Sequence, residues 1–440
     1  MRFKWETEFK ETEIGEIPKE WEIEKLDWAV RSLESGNRPK GGSLKHAPNG
    51  ILSIGGENIT WQGELVLDNC LRFKEEFYRN LNRGKIEEED ILLVKDGATI
   101  GKLAYIKEIP EGRAMVNEHV FLIKTHIERY NPKLLFYYLF SESGQMQIES
   151  AIGGSAQGGI NREILNIVKI PKFDITEQSR IAKVLSWFDD LIENKKRQNE
   201  ILEKTAMAIF KSWFIDFEPF SAKGGSATGE KDSEFVDSEL GRIPKGWEVK
   251  ELRRVVNTQY GLTASSEDIG DTKLLRITDI NKTFVIDWDN VPYCNIAEDK
   301  LLKYELKDKD IVISRIADIG KVAIIENPPK SVFASYLIRL KPKLNKITPY
   351  YLYYWLKSPS YQEYIEGAAE GSTRQNTNAE VIKSGPILIP DEKVIREFEK
   401  IAENIRSKII LNQKQIMILR KIRDTLLPLL VFGKLRVEEV

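Results

Sequence analysis

The chain predicts a mixed α/β (α+β) protein: two tandem α/β domains, each followed by a long helix, with the two helices pairing as an antiparallel coiled coil. Three observations predict it: an internal duplication, a repeated run of short β-rich segments, and a change of hydrophobic period after each run. EIGEIPKEWEIEKL from Glu13 returns as ELGRIPKGWEVKEL from Glu239, 226 positions later. EDILLVKDGATIGKLAYI from Glu89 pairs with KDIVISRIADIGKVAII from Lys309, and Asp90 matches Asp310 at an offset of 220. Gly154, Ser155 and Asn161 precede Ile170-Pro171 just as Gly371, Ser372 and Asn378 precede Ile389-Pro390. Three blocks in one order, with offsets drifting only by loop length, indicate two homologous units. The period is far too long for a solenoid.

Within the first unit, residues 51–54, 91–94, 120–123 and 167–170 read as strands, punctuated by Pro48-Asn49-Gly50 and Asp96-Gly97, and 131–150 reads as a helix. The second unit repeats this with strands at 274–277, 311–314, 336–340 and 387–389 and a helix at 349–366. After Pro171 and Pro390 the period changes from two to near 3.5. The first seam is Ile181, Leu185, Phe188, Ile192, Lys195, Asn199, Leu202, Ala206, Ile209 and Trp213. The second is Phe398, Ile401, Ile405, Lys408, Asn412, Gln415, Leu419, Ile422 and Leu426. Polar residues on such seams cost stability and can fix register, so the helices are expected to pair with each other. Antiparallel pairing of helices roughly 58 Å long, at about 1.5 Å per residue, would put one unit at each end. The expected organisation is a first α/β domain over 1–172, its helix over 173–216 and a Gly/Ser-rich flexible linker over 217–238. A second domain follows over 239–390, its helix over 391–427 and a tail over 428–440.

Composition narrows the function classes. The 440 residues exceed what one core usually serves, and 41% hydrophobic with 30% charged residues reads as globular. No apolar run approaches the length of a membrane span, and MRFKWETEFK lacks the apolar core of a secretory signal, so a cytoplasmic location is expected. With 66 basic against 68 acidic side chains, any nucleic-acid role must come from local basic surface. Cys70 and Cys294 stand in unrelated contexts and suggest buried thiols rather than a disulfide or metal site. His46, His119 and His126 lack metal-ligand spacing and read as surface or packing residues. Asn327-Pro328-Pro329 resembles part of an amino-methyltransferase motif. Lys330 takes the aromatic position and no glycine-rich cofactor loop precedes it, so it reads as a surface turn. Asp90 and Asp310, which open the matching strands in both units, read as turn residues rather than metal ligands.

Tandem units with IPxxW openings, GK-containing middle segments and GS…N…IP exits, each followed by a long helix, resemble the specificity subunit of type I restriction-modification systems. Further matches are Glu177-Gln178 with Ile181, LEKTAMAIFKSWFIDFEPF from Leu202, YGLTASS from Tyr260, LLRITDI from Leu274, GSTRQN from Gly371, and KIRDTLLPLL with Phe432-Gly433-Lys434. The first half carries Gly154-Ser155-Ala156-Gln157 where the fuller motif has an arginine. The second helix opens with Asp391-Glu392-Lys393 rather than a Glu-Gln pair. The resemblance implies a non-catalytic reader of double-stranded DNA with two target recognition domains, each reading half of an asymmetric bipartite site. Its implied partners are two methyltransferase subunits and restriction translocase-nuclease subunits. S-adenosylmethionine, ATP and magnesium would belong to those partners, with no cofactor and no metal held by this chain, and no membrane.

Candidate DNA-contacting residues are the basic and amide side chains of glycine-rich loops, since arginine and side-chain amides can contact guanine or adenine edges. In the first unit these are Asn37, Arg38, Lys40, Lys45, Lys95, Lys102, Gln157 and Arg162. In the second they are Gln259, Thr263, Lys273, Arg276, Arg315, Lys321, Arg374, Gln375 and Asn376. Two other classes stand beside this reading: a two-headed protein-binding scaffold without DNA recognition, and a fused modification enzyme.

Overall fold

The structure, a computed structural model, describes residues 2–38, 49–68, 70–153, 158–221, 235–280, 284–370 and 377–439. It divides into two compact units, one of residues 1–191 with 418–440 and one of residues 192–417. The repeated sequence is a repeated topology. The first unit has a four-stranded antiparallel sheet in the order Val30–Ser35, Val120–Thr125, Ile91–Val94, Leu103–Tyr105. The second has Val256–Tyr260, Leu337–Pro342, Ile311–Ser314, Val322–Ile324 in the same order. A three-stranded sheet accompanies each. Ile51–Ile54 runs parallel to Ala114–Val116 and antiparallel to Leu71–Phe73, as Thr272–Leu275 runs parallel to Ser331–Phe333 and antiparallel to Tyr293–Cys294.

The central strands are largely apolar because both faces are covered, with Lys124, Ser314 and Arg339 as buried polar exceptions. Ile91, Leu93, Phe121 and Ile123 pack with helix Pro132–Phe140, while Leu92, Val94, Val120 and Leu122 pack with the three-stranded sheet. Ile311 and Ile313 against Val312 and Leu337 divide the second unit in the same way. Alternation along a strand therefore sorts residues between two cores rather than between core and solvent.

Each helix expected ahead of the exit strand is two helices: Pro132–Phe140 with Glu142–Ser150, and Pro349–Lys357 with Pro359–Glu370. Ser141 breaks the first with extended backbone (φ −65, ψ 160), and its Oγ accepts the Gly144 N–H at 3.2 Å. Ser358 breaks the second because Pro359 disfavours helical backbone in the residue before it. The exit strand expected at 167–170 is Lys169–Lys172, preceded by the helical turn Ile164–Ile167. The expected linker lies mostly outside the described residues. Glu218–Ser221 is a helical turn and Phe235–Ser238 already pairs with Gly241–Pro244.

Two helices of 40 residues, Ile175–Phe214 and Glu392–Val431, complete the units. In the first unit the start of one lies beside the end of the other, where Arg423 donates to Asp189 at 2.8 Å. In the second, Asn412 Nδ2 donates to Asn199 Oδ1 at 2.9 Å and Arg406 to Glu203 at 2.9 Å, so the pairing is antiparallel. The expected seam holds at Ile181, Leu185, Ile192, Asn199 and Ala206, then slips by one residue to bury Glu203, Phe210 and Phe214 in place of Leu202, Ile209 and Trp213. On the second helix it holds at Phe398 and Asn412. Ala402, Arg406, Ile409 and Ile416 are buried where Ile401, Ile405, Lys408 and Gln415 were expected, and Ile422 is exposed. A helix turning at 3.6 residues steps by four more often than by three, so the buried lines run 199, 203, 206, 210, 214 and 398, 402, 406, 409, 412, 416 rather than in strict three-four alternation.

The IPxxW openings anchor these helices. Trp21 stacks on Phe173 at 3.6 Å, and a Cβ at Gly433 would lie 2.5 Å from Pro18 and 2.8 Å from Trp21. Trp247 sits among Phe214, Phe217 and Phe220 at 6.1, 5.7 and 5.0 Å. Each opening thus clamps the end of a long helix. Beyond the second helix, Leu435–Glu439 pairs antiparallel with Arg2–Trp5, so the expected tail is a strand.

Candidate nucleic-acid interface

The strand that crosses each sheet has a fixed end and a loop end. After Val120–Thr125 the chain reaches Asn131, whose N–H donates to Gln178 Oε1 on the first long helix at 2.8 Å. After Leu337–Pro342 it reaches Tyr350, whose N–H donates to Glu399 on the second at 3.1 Å. The opposite ends, at Val120 and Leu337, are about 20 Å away for strands of this length and gather the loops.

The same hydrogen bonds hold both gatherings. Lys95 N–H donates to His119 O at 3.0 Å and Arg315 N–H to Tyr336 O at 3.1 Å. Asn117 N–H donates to Ile54 O at 3.0 Å and Ala334 N–H to Leu275 O at 2.9 Å. Ile160 N–H donates to Lys95 O at 2.7 Å and Thr377 N–H to Arg315 O at 2.9 Å. Lys95 and Arg315 are therefore equivalent, as are His119 and Tyr336.

Both gatherings need a glycine at the crossing point. A Cβ on Gly36 would lie 1.8 Å from Val116 O, and one on Gly261 would lie 2.2 Å from Ala334 O. Backbone there cannot move without breaking the strand ends, so Gly36→Ala and Gly261→Ala are each expected to cost about 1–3 kcal/mol by urea unfolding. Gly367→Ala, in helix Pro359–Glu370 with nothing within 4 Å, is the control with the opposite sign and should stabilise by up to about 1 kcal/mol.

The loop end of the first unit presents exposed polar groups. Lys95 pairs with Asp96 at 3.1 Å, Asp96 holds His119 Nδ1 at 2.5 Å, and Arg38 pairs with Glu118 at 3.4 Å. Asn37 accepts from Arg83 at 3.2 Å, and Arg162 donates to Leu33 O at 2.6 Å, tying it to the same end. In the second unit Arg315 lies over the Tyr260 ring at 5.5 Å and donates through Nε to Ser335 O at 3.0 Å; Tyr260 and Tyr336 are 44% and 54% exposed. Thr263 is exposed beside this group, after buried Leu262. Lys40, Lys45, Gln157, Arg374, Gln375 and Asn376 lie outside the described residues.

Other expected residues are committed elsewhere. Lys273 is buried, its ammonium 2.7 Å from Val291 O and 3.7 Å from the Tyr293 ring centre, so burial inside the second sheet removes it from a contact role. Gln259 turns inward, donating to Lys303 O at 2.9 Å and accepting from buried Arg339. Arg276 is forked onto Asp279 at 3.1 and 3.0 Å. Lys102 lies over Trp61 at 5.8 Å, where burial holds its pKa below the usual lysine value. Its equivalent Lys321 is exposed.

Several expectations meet their geometry. Asp90 and Asp310 accept the N–H of Glu87 and Lys307 at 2.7 and 3.0 Å, closing the turns before their strands. Asn327 takes a left-handed conformation (φ 46) and donates to Asp308 at 2.9 Å, a turn. The recurring asparagines of the exits cap helical turns: Asn161 accepts from Glu163 at 2.7 Å and Asn378 from Glu380 and Val381 at 2.9 and 3.0 Å. Both thiols are buried, and burial pushes Cys70 up to about 11. Tyr260 lies within the segment 259–263 expected to face DNA, whereas Tyr336 is not among the expected contacts and His119 is expected as a surface or packing residue. Each stands beside a strand end, and the pairing of KDG with RIA was the available signal.

Two copies of one α/β domain, each with a loop cluster at the sheet end away from its helices, define a tandem protein built on a helical pair. Residues 18–204 and 244–419 match the type I restriction modification DNA specificity domain. The chain therefore belongs to the family of type I restriction-modification specificity subunits. It is 32% identical over 461 residues to the type I restriction enzyme MjaIX specificity subunit of Methanocaldococcus jannaschii, spanning 100% of this chain and 99% of that one. Its identity to the HindI specificity subunit of Haemophilus influenzae is 24% over 383 residues, covering 73% and 81% of the two chains. A crystal structure of the type I S subunit from M. genitalium has the same fold, with a TM-score of 0.51 at 18% identity over 93% of this chain and 96% of that one.

Proposed function

We propose that this chain is the non-catalytic DNA reader of a type I restriction-modification complex, with the first unit specifying one half of an asymmetric bipartite site and the second the other. The observation that carries the reading is the pair of loop clusters: one hydrogen-bonded frame displays Lys95, Asp96 and His119 in one unit and Arg315, Tyr260 and Tyr336 in the other. A frame kept constant while its displayed side chains differ suits two recognition surfaces with different targets. Phosphate contacts would come from Arg38, Arg162 and Lys321 and from the basic residues Lys40, Lys45 and Arg374. The domain expected at 1–172 and that expected at 239–390 would be the modules of recognition.

Assembly with two methyltransferase subunits and with translocase-nuclease subunits is supported by apolar side chains left outward on the long helices. Trp187, Leu191, Ile418 and Ile422 are 39–58% exposed in the first unit, and Ile201 and Leu411 56% and 47% in the second. S-adenosylmethionine, ATP and magnesium would enter with those partners, and the complex would work in the cytoplasm. Among the described residues no helix is long and apolar enough to cross a membrane.

Binding of the chain assembled with its methyltransferase subunits to duplex DNA, measured against salt, tests the reading. Affinity should fall linearly on a log-log plot, with a slope near −0.9 per phosphate neutralised. Indifference to DNA with the partners present would favour the protein scaffold. S-adenosylmethionine binding by the purified chain alone would favour a modification enzyme.

A further inference from the structure

The two loop clusters differ at positions the shared frame makes equivalent, and this difference locates the choice of sequence. His119 and Tyr336 occupy the same place, each with its carbonyl accepting from the residue that follows a central strand, Lys95 or Arg315. Neither side chain belongs to a core, since the His119 side chain is 51% and Tyr336 54% exposed. Their surroundings are built. In the first unit Asp96 takes His119 Nδ1 at 2.5 Å and Lys95 at 3.1 Å, Glu118 lies 3.5 Å from His119 Nε2, and the Asn117 carboxamide oxygen accepts the His119 N–H at 2.9 Å. The ring is thus held at both its backbone and its Nδ1, leaving the Nε2 edge beside a carboxylate. In the second unit Arg315 is placed by Ser335 O at 3.0 Å and by the Tyr260 ring at 5.5 Å, and the Tyr260 hydroxyl is fixed by accepting the Ala379 N–H at 2.9 Å.

We propose that His119 with Asp96, and Tyr336 with Arg315, are the determinants that make the two half-sites different. The inference rests on the proposed DNA-reading function and assigns it to particular side chains. The chemistry of the two groups differs in kind. An imidazole edge flanked by carboxylates offers acceptors to the exocyclic amines of cytosine or adenine. A guanidinium over the Tyr260 ring, with the exposed Tyr336 on the neighbouring strand end, offers donors to guanine O6 and N7 and an apolar surface to a thymine methyl. Asp96 positions His119, and Tyr260 positions Arg315. The order of the frame, with Asn117 and Ala334 tied to the neighbouring sheets at 3.0 and 2.9 Å, keeps these groups at fixed height over the strand ends.

The test uses the chain assembled with its methyltransferase subunits and a randomised duplex library, reading the preferred sequence of each half-site. His119→Ala and Asp96→Asn should each relax preference, by roughly tenfold or more at one or two base pairs, in one half-site only. Tyr336→Ala and Arg315→Gln should relax the other half-site only. Asp96→Asn keeps the size of the side chain and, with unchanged melting temperature, separates lost recognition from lost folding. A wild-type complex that selects a bipartite site, with folded variants whose preferences at both half-sites are unchanged, overturns the assignment and leaves the reading function standing. A wild-type complex with no sequence preference overturns both.

Discussion

Arg406→Ala is expected to destabilise the unit of residues 192–417 by about 3–5 kcal/mol, because it leaves buried Glu326 without its cation and buried Glu203 with Lys357 alone. Arg406 is fully buried; its guanidinium donates to Glu203 at 2.9 Å, to Glu326 at 3.0 Å through Nε, and to Phe284 O at 2.9 Å. Glu203 also accepts from the Tyr353 and Tyr354 hydroxyls at 3.1 Å each and from Lys357 at 2.5 Å. Burial alone would push the Glu203 carboxyl up, but Lys357 and Arg406 outweigh it and hold the group below its ordinary 4.5. A depressed folded pKa gives stability that is present above the unfolded value and lost as pH falls through the folded one. Wild type should therefore lose stability below about pH 4.5, and Glu203→Gln should flatten that limb. Urea unfolding from pH 3 to 7 measures both effects; an Arg406→Ala loss under about 1 kcal/mol would mean that the network is not closed.

Lengthening both long helices by a heptad, after Gln198 and after Asn412, is expected to abolish methylation of the natural site. The insertions lie beside the buried Asn199–Asn412 bond, so each flanking stretch of the antiparallel pair keeps its partners. Each adds about 10.5 Å at about 1.5 Å per residue. That is about three base pairs at 3.4 Å each and about a third of a turn of the groove. If the helices set the gap between half-sites, a selected site for the variant should have a wider gap and both half-sites unchanged. Methylation of the natural site at the normal rate would show that helix length is not the ruler.

The duplication was legible because it is written in local signals: IPxxW openings, strand runs before KDG and RIA, and asparagines that cap the exit turns. The strands at 51–54, 91–94 and 311–314 needed only an apolar run bounded by turn residues. What was not legible depended on contacts distant in the chain. The break at Ser141 looked like helix because its neighbours are good helix formers, and only the Gly144 bond exposes the cap. The seam slipped because a repeat counted in sevens cannot register a helix turning at 3.6. Arg406 lay one position off the expected line, where a cation reads as solvent-facing until Glu203 and Glu326 arrive from distant segments. Among the candidate contacts, Lys273 and Gln259 are held by internal partners for the same reason: a basic or amide side chain on a strand points to solvent or to an internal partner according to the fold. Arg38, Lys95 and Arg162 gather in the first unit, and Thr263 and Arg315 in the second, because they flank strand ends, which the turn signals did mark.

If each unit specifies its own half-site, exchange of one unit should change one half-site alone. Residues 22–172 would be replaced by the corresponding segment of another family member. Trp21, Phe173 and Gly433 stay in place, so the clamp on the second helix survives. The chimera would be expressed with its methyltransferase partners, and the methylated sequences of the host genome read. A new sequence is expected in one half-site, with the other half-site and the gap unchanged. A change in both half-sites, or in neither, would contradict separate specification by the two units.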